Sequence, residues 1–257
     1  MQKIKLSFSH ENTVARVILD DGKGNVLDHI MMEELQDILT SFKEMKGLKL
    51  IVFEGAGKHF SFGANVDEHK KEAAAVMLRS FHQLFYSLKD LSVLTLAKIS
   101  GQCLGGGMEL AIMCNFLFAD KSAKMGQPEI VLGVFPPPAS IILPEKIGLA
   151  RAEELLLTGK IISAEEAKTA GLLNELFEDK DTLEQGVNSF IENYIIPRSS
   201  SSLRFGVRAS RTKFNHVLTN FLQSLEMMYV NELMKTHDAN EGINAFIEKR
   251  KPDWENY

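Results

Sequence analysis

Residues Lys98–Ser140 read KISGQCLGGGMELAIMCNFLFADKSAKMGQPEIVLGVFPPPAS, and the fold turns on them. At the near end, Leu94 to Ile99 is short and mostly apolar, the pattern of a buried strand. After the triplet Gly105–Gly107, the residues Met108, Leu110, Ala111, Ile112 and Met113 are good helix formers, so the triplet is a strand-to-helix turn. Glycines there admit backbone angles that a β-carbon forbids, and they let a ligand approach the unpaired N–H groups of the helix start. Fixed N–H donors of that kind suit a developing negative charge. Glu109 falls in the first helical turn, beside them.

Twenty positions further on lies Gly126-Gln127-Pro128-Glu129. Pro128 fixes its own φ, has no N–H and restricts Gln127, so Glu129 sits on a stiff turn. Two carboxyl groups on rigid supports around an oxyanion site suit proton transfer next to a thioester or another carbonyl. Each glutamate also has an ordinary alternative. A first-turn glutamate commonly serves the helix dipole, and a Pro-Glu pair is commonly a surface turn.

GQCLGGGMELAIMCN followed by GQPEIVLG resembles the signature of the crotonase (enoyl-CoA hydratase/isomerase) superfamily, and the likeness extends over nearly the whole chain. It implies an α/β spiral of ββα repeats with a C-terminal helical oligomerisation region. By resemblance, Glu109 and Glu129 are the pair that handles the added water, and Gly106 donates one oxyanion N–H. The second donor is Ala64, in the loop Lys58-His59-Phe60-Ser61-Phe62-Gly63-Ala64-Asn65-Val66-Asp67-Glu68. Family members usually carry Gly-Ala-Asp there; Asn65 replaces the aspartate, which need not harm a hole built from main-chain groups. The likeness extends the substrate and CoA set to Asn25, Val26, Phe62, Gly63, Asn65, Val66, Asp67, Gly105 and Pro137. Lys58 and His59 have two readings, CoA phosphate contacts or solvated loop residues. Phe60 and Phe62 are pocket wall or core, with core expected for at least one.

The rest of the chain fits that frame. Ile4 to Phe8 and Val14 to Leu19 alternate as an antiparallel hairpin, and Asp28 is a candidate N-cap for a helix from Ile30 to Lys46. Leu48 to Glu54 reads as a strand and Glu68 to Leu88 as a helix. Many relatives acting on linear chains have a glycine-rich stretch where this chain has Pro136-Pro137-Pro138. The triplet reads as a rigid connector or as a reshaped acyl pocket. A helix is expected over 144–157 with Pro144 at its first position, and Ser163 to Glu166 has the form of a capping box. Residues 1–196 form the expected core, bounded by Pro197-Arg198-Ser199-Ser200-Ser201-Ser202; residues 197–257 form the expected helical trimerisation region. Phe246 and Lys249 are candidates to reach a neighbouring subunit's CoA or to serve the fold.

Composition narrows the partners. A net charge of −5 without a basic block argues against nucleic acid, and no apolar run has membrane-spanning length. Cys103 and Cys114 read as buried free thiols, and no Cys/His cluster has metal-ligand spacing. An N-terminus that already alternates as a strand predicts no leader segment and a cytoplasmic protein. The expected partners are an acyl-CoA substrate and copies of the same chain, as a homotrimer or a hexamer. No cofactor is expected beyond the CoA carried by the substrate, and no metal.

Within the superfamily, HFSFGANVDEH, the proline triplet, SSSSLRFGVRASR and HDANEGINAFIEKR are similar to the hydratases of cyclohexa-1,5-diene-1-carbonyl-CoA. Those enzymes form 6-hydroxycyclohex-1-ene-1-carbonyl-CoA in anaerobic benzoyl-CoA degradation. Two other functions compete: a general short-chain enoyl-CoA hydratase or isomerase of fatty-acid β-oxidation, and a non-enzymatic RNA-binding or scaffold member of the fold.

Overall fold

In the computed structural model, which describes residues 1–257, Ile4–Ser9 (β1) and Val14–Leu19 (β2) pair antiparallel from Ile4 opposite Leu19 to Ser9 opposite Val14. Asp28 caps the next helix, His29–Ser41 (α1), accepting the N–H of Met31 at 3.1 Å. The helix buries Met31, Leu35, Ile38 and Leu39 along one face, and its last expected turn is 3₁₀.

The alternation of strands and helices then repeats. Leu50–Gly55 (β3) leads to Ala74–Leu91 (α2). Leu94–Ile99 (β4) and Gln102–Leu104 (β5) lead to Gly106–Met113 (α3), and Phe116–Asp120 (β6) and Lys124–Gly126 (β7) lead to Pro137–Ile147 (α4). Leu149–Thr158 (α5), Ile161–Ser163 (β8), Ala164–Thr169 (α6) and Glu175–Phe177 (β9) follow. The main sheet runs β1-β2-β3-β4-β6-β9 and is parallel from β2 onward. Its central strand β4 is buried at every position, as a parallel strand covered on both faces must be.

A small sheet, β5-β7-β8, positions the site. β5 and β7 are parallel, with Leu104 opposite Gly126. The glycine triplet and the Gln127-Pro128-Glu129 turn therefore leave the sheet side by side, and Gly105 donates its N–H to Gly126 at 3.0 Å. Twenty residues of separation become a pair of neighbouring turns.

The expected helix over 144–157 is corrected. There are two helices, α4 and α5, separated at Gly148 with φ +77°, and Pro144 lies inside α4 rather than at its start. Pro137 and Pro138 hold the first two positions of α4, where a missing N–H costs nothing. The proline triplet is a helix start, not a connector.

After Lys180–Phe190 (α7), the chain forms Ser200–Ser210 (α8), Thr212–Asn231 (α9) and His237–Ile247 (α10). Leu218, Leu222 and Tyr229 of α9 belong to the same core as the spiral, whereas Phe221, Met227 and Met228 of that helix are exposed. No helix is long and apolar enough to cross a membrane.

Candidate active site

All eight residues of α3 are buried, and Glu109 is the only charged one among them. Its Oε1 accepts the N–H of Ala139 at 2.9 Å. That amide is the first free one in α4, because Pro137 and Pro138 have none to give. Glu129 stands on a 3₁₀ turn, Pro128–Leu132, with its carboxyl over Gly105. A β-carbon on Gly105, whose φ is +49°, would lie 2.8 Å from Oε1 of Glu129. With its nitrogen turned toward Glu129, the amide of Gln127 donates to both carboxylate oxygens at 3.1 Å. Gln127 is itself completely buried.

The two main-chain N–H groups expected to form an oxyanion site, those of Ala64 and Gly106, lie close together. Leu27 donates to the Gly63 carbonyl at 2.9 Å and accepts from Asn65 at 3.1 Å, an alternation that turns the intervening Ala64 N–H the other way, where it has no protein acceptor. Gly106 is the first residue of α3, so its N–H has no intrahelical acceptor either. A β-carbon on Gly106 would come within 3.1 Å of the Ala64 nitrogen, so glycine is what lets the two donors converge. The 63–64 loop is pinned from behind: Ser61 Oγ accepts from Gly63 N at 3.0 Å and donates to the Asn25 carbonyl at 2.7 Å.

These groups face one cavity of about 450 Å³. Most of its wall is apolar, including Met77, Leu78, Phe81 and Phe135, with Phe62 at 47% exposure and Phe246 also lining it. Burial raises the pKa of Glu109 well above the carboxylate range; the charge of Glu129 adds to this, and the Ala139 N–H opposes it. Burial likewise raises Glu129. Burial and mutual repulsion both disfavour two charges at once on this pair, the electrostatics expected of a paired acid and base. A larger cleft of about 740 Å³, between α4, α7, α8 and α9, contains no pair of this kind.

Of the residues expected at the site, Phe62, Gly63, Ala64, Val66, Gly105, Gly106, Glu109, Glu129 and Pro137 line the cavity. Asn25, Val26, Asn65 and Asp67 do not. Asn25 is buried beneath the loop, its amide spent on the carbonyls of Ala56 and His59 at 3.0 and 2.8 Å. Asn65 caps the 3₁₀ turn by accepting from Asp67 N at 3.1 Å, and Asp67 pairs with Lys70 at 2.9 Å. His59 accepts from Gln102 N at 3.0 Å, a scaffold role, while Phe60 is core. Cys103 packs behind the site, fully buried, with its thiol pushed up by burial. Phe246 reaches this chain's own cavity. The sequence reading missed Gln127, the Ala139 N–H, His69 and Tyr229. His69 also lines the cavity; its Nδ1 lies 2.9 Å from the Asn65 carbonyl, and burial lowers its pKa.

Residues 9–257 match the family model described as enoyl-CoA hydratase/isomerase. The chain belongs to the enoyl-CoA hydratase/isomerase family. Among curated relatives, the cyclohexa-1,5-dienecarbonyl-CoA hydratase of Thauera aromatica is 41% identical over 98% of this chain and 97% of the relative. A probable enoyl-CoA hydratase of Bacillus subtilis is 30% identical over 97% of this chain and 98% of its own. Among solved structures, an enoyl-CoA hydratase from Bacillus anthracis aligns at TM-score 0.78 with 30% identity, over all of both chains. One from Mycobacterium avium subsp. paratuberculosis reaches TM-score 0.87 at 21% identity over 99% of both chains, a likeness of fold. This member of the family is an enzyme of the hydro-lyase type, which sets aside the non-enzymatic reading.

Proposed function

We propose that this enoyl-CoA hydratase adds water to cyclohexa-1,5-diene-1-carbonyl-CoA, giving 6-hydroxycyclohex-1-ene-1-carbonyl-CoA in benzoyl-CoA degradation. The observation that carries this reading is the 41% identity, end to end, with a relative named for that substrate, against 30–33% for relatives named only as probable enoyl-CoA hydratases. The apolar cavity, walled on one side by Pro136 and Pro137, suits an uncharged acyl group of compact shape.

In the proposed reaction, the thioester oxygen lies between the N–H groups of Ala64 and Gly106. The ionised member of the Glu109–Glu129 pair takes a proton from water as the water oxygen bonds to the β-carbon. The π electrons move into the carbonyl, and the resulting enolate is stabilised by the two N–H groups. A proton from the carboxyl pair then returns to carbon. The residues proposed to bind the rest of the substrate are Phe62, Gly63, Val66, Gly105 and Pro137 on the cavity wall, while Asn25, Asn65 and Asp67 hold the loop that carries Gly63 and Ala64. No cofactor is required by these steps.

The exposed Phe221, Met227 and Met228 of α9 suit a contact with further copies, and we place the protein as a trimer or a dimer of trimers. Buried, unpaired Cys103 and Cys114 fit a cytoplasmic setting.

The second reading, a general short-chain hydratase, is favoured by the relatives at 30–33% identity. Initial rates with the cyclic dienoyl-CoA and with crotonyl-CoA separate the two. A kcat/KM higher for the cyclic diene supports the proposal, and the reverse order replaces it with the general activity.

A further inference from the structure

Tyr229 lies on α9, far along the chain from the glycine triplet, yet its side chain lines the same cavity as Glu109 and Glu129. The residue is 1% exposed, and its hydroxyl makes no hydrogen bond within the protein. Phe135 meets the phenol ring edge-on, with centroids 5.5 Å apart at 63°, and fixes its orientation. A buried hydroxyl without a partner is costly, and phenylalanine would fill this place without that cost. The polar side chains lining the cavity are few: His69, the two glutamates and this phenol.

We propose that the Tyr229 hydroxyl contacts the oxygen that is added, donating a hydrogen bond to the water before attack and to the hydroxyl group of the product. The thioester oxygen already has two N–H donors, from Ala64 and Gly106, so it does not need this one. The two glutamates line the same cavity as the phenol. Burial first, and then the charges of Glu129 and Glu109, raise its pKa, so it stays protonated and serves as a donor. It is therefore a substrate-contacting group that recognises a β-hydroxyl. The inference rests on hydration at this site and not on which acyl group is hydrated.

The test uses ligand pairs differing by that hydroxyl: 6-hydroxycyclohex-1-ene-1-carbonyl-CoA against cyclohex-1-ene-1-carbonyl-CoA, and 3-hydroxybutyryl-CoA against butyryl-CoA. Titrations in a Glu109→Gln background avoid turnover. With Tyr229 present, the hydroxylated member of at least one pair binds about tenfold more tightly, as expected for one neutral hydrogen bond. Adding Tyr229→Phe abolishes that preference, leaves affinity for the other member unchanged, and raises the melting temperature or leaves it no lower, since the unpaired hydroxyl is removed. In the otherwise native enzyme, Tyr229→Phe lowers kcat/KM by about tenfold. A preference confined to the linear pair keeps this inference and overturns the cyclic substrate. A preference that survives Tyr229→Phe, or no preference with Tyr229 present, overturns the inference.

Discussion

The main-chain N–H of Ala139 donates to Oε1 of Glu109 at 2.9 Å. It joins the start of one helix to the first turn of another, and the two prolines before Ala139 leave it as the first amide of α4 free to do so. A carboxyl buried in an apolar wall thus gains a fixed orientation from the start of a neighbouring helix.

Replacing Glu109 by Gln keeps an acceptor for Ala139 and removes the buried charge. The folded-state pKa of Glu109 is raised, so the folded protein holds a proton that the unfolded chain releases. Its contribution is most favourable below the ordinary value of 4.5 and is lost as pH rises toward the folded value. Glu109→Gln is therefore expected to melt higher than the parent at alkaline pH and equally at acidic pH. Thermal melts across that range check this; a variant that is less stable at every pH would count against the burial argument.

Gln127 steers Glu129. Its donation favours the ionised carboxylate, so Gln127→Met, which is similar in shape but donates nothing, should raise the pKa of Glu129 further. The limb of the kcat/KM profile that reports Glu129 then moves to higher pH: the acid limb if Glu129 is the base, with lower activity at neutral pH, and the alkaline limb if it is the acid. A pH–rate profile that superimposes on the parent's after scaling would show that Gln127 only packs.

Gly105→Ala introduces a β-carbon 2.8 Å from Oε1 of Glu129 at a backbone position with φ +49°. Displacing the carboxyl and the adjoining oxyanion site is expected to lower kcat by about 10²-fold or more, while backbone strain costs about 1–3 kcal/mol. Turnover and urea denaturation of the same preparation measure the two effects. Near-normal turnover would mean that the Gly105–Glu129 approach is incidental.

Away from the cavity, Glu184 accepts from Arg16 at 2.7 Å and also pairs with Lys98, which bonds Glu54 at 2.7 Å. Burial alone would raise the pKa of Glu184, but the hydrogen bonds from Arg16 and Lys98 outweigh it and hold the group at about 2. With a depressed folded pKa, the stabilisation is present above the ordinary value of 4.5 and is lost as pH falls toward 2. Glu184→Gln should flatten the pH dependence of the urea midpoint in that interval. Equal slopes for parent and variant would contradict this.

Local signals carried the frame. The hairpin, the Asp28 cap, the Ser163–Glu166 capping box and the glycine turn all depend on residues a few positions apart, and all are present. Pro144 misled because a proline marks a helix start only when no better start precedes it, and Pro137 does precede it. Asn25 and Asn65 are polar residues in the right loops, but whether such an amide faces ligand or main chain depends on neighbours that sequence spacing does not reveal. Tyr229 was hidden inside an apolar stripe. Only the packing of α9 against the spiral brings Tyr229 to the wall of the cavity that holds the carboxyl pair.

The most direct measurement is kcat for hydration by Glu109→Gln and by Glu129→Gln, alongside the Kd of each variant for a non-reactive acyl-CoA. If the two carboxyl groups share the proton transfers, each variant loses at least about 10²–10⁴-fold in kcat while that Kd barely changes. A variant that keeps near-parental kcat, or one whose loss lies wholly in CoA-ester binding, would contradict the paired-carboxyl mechanism.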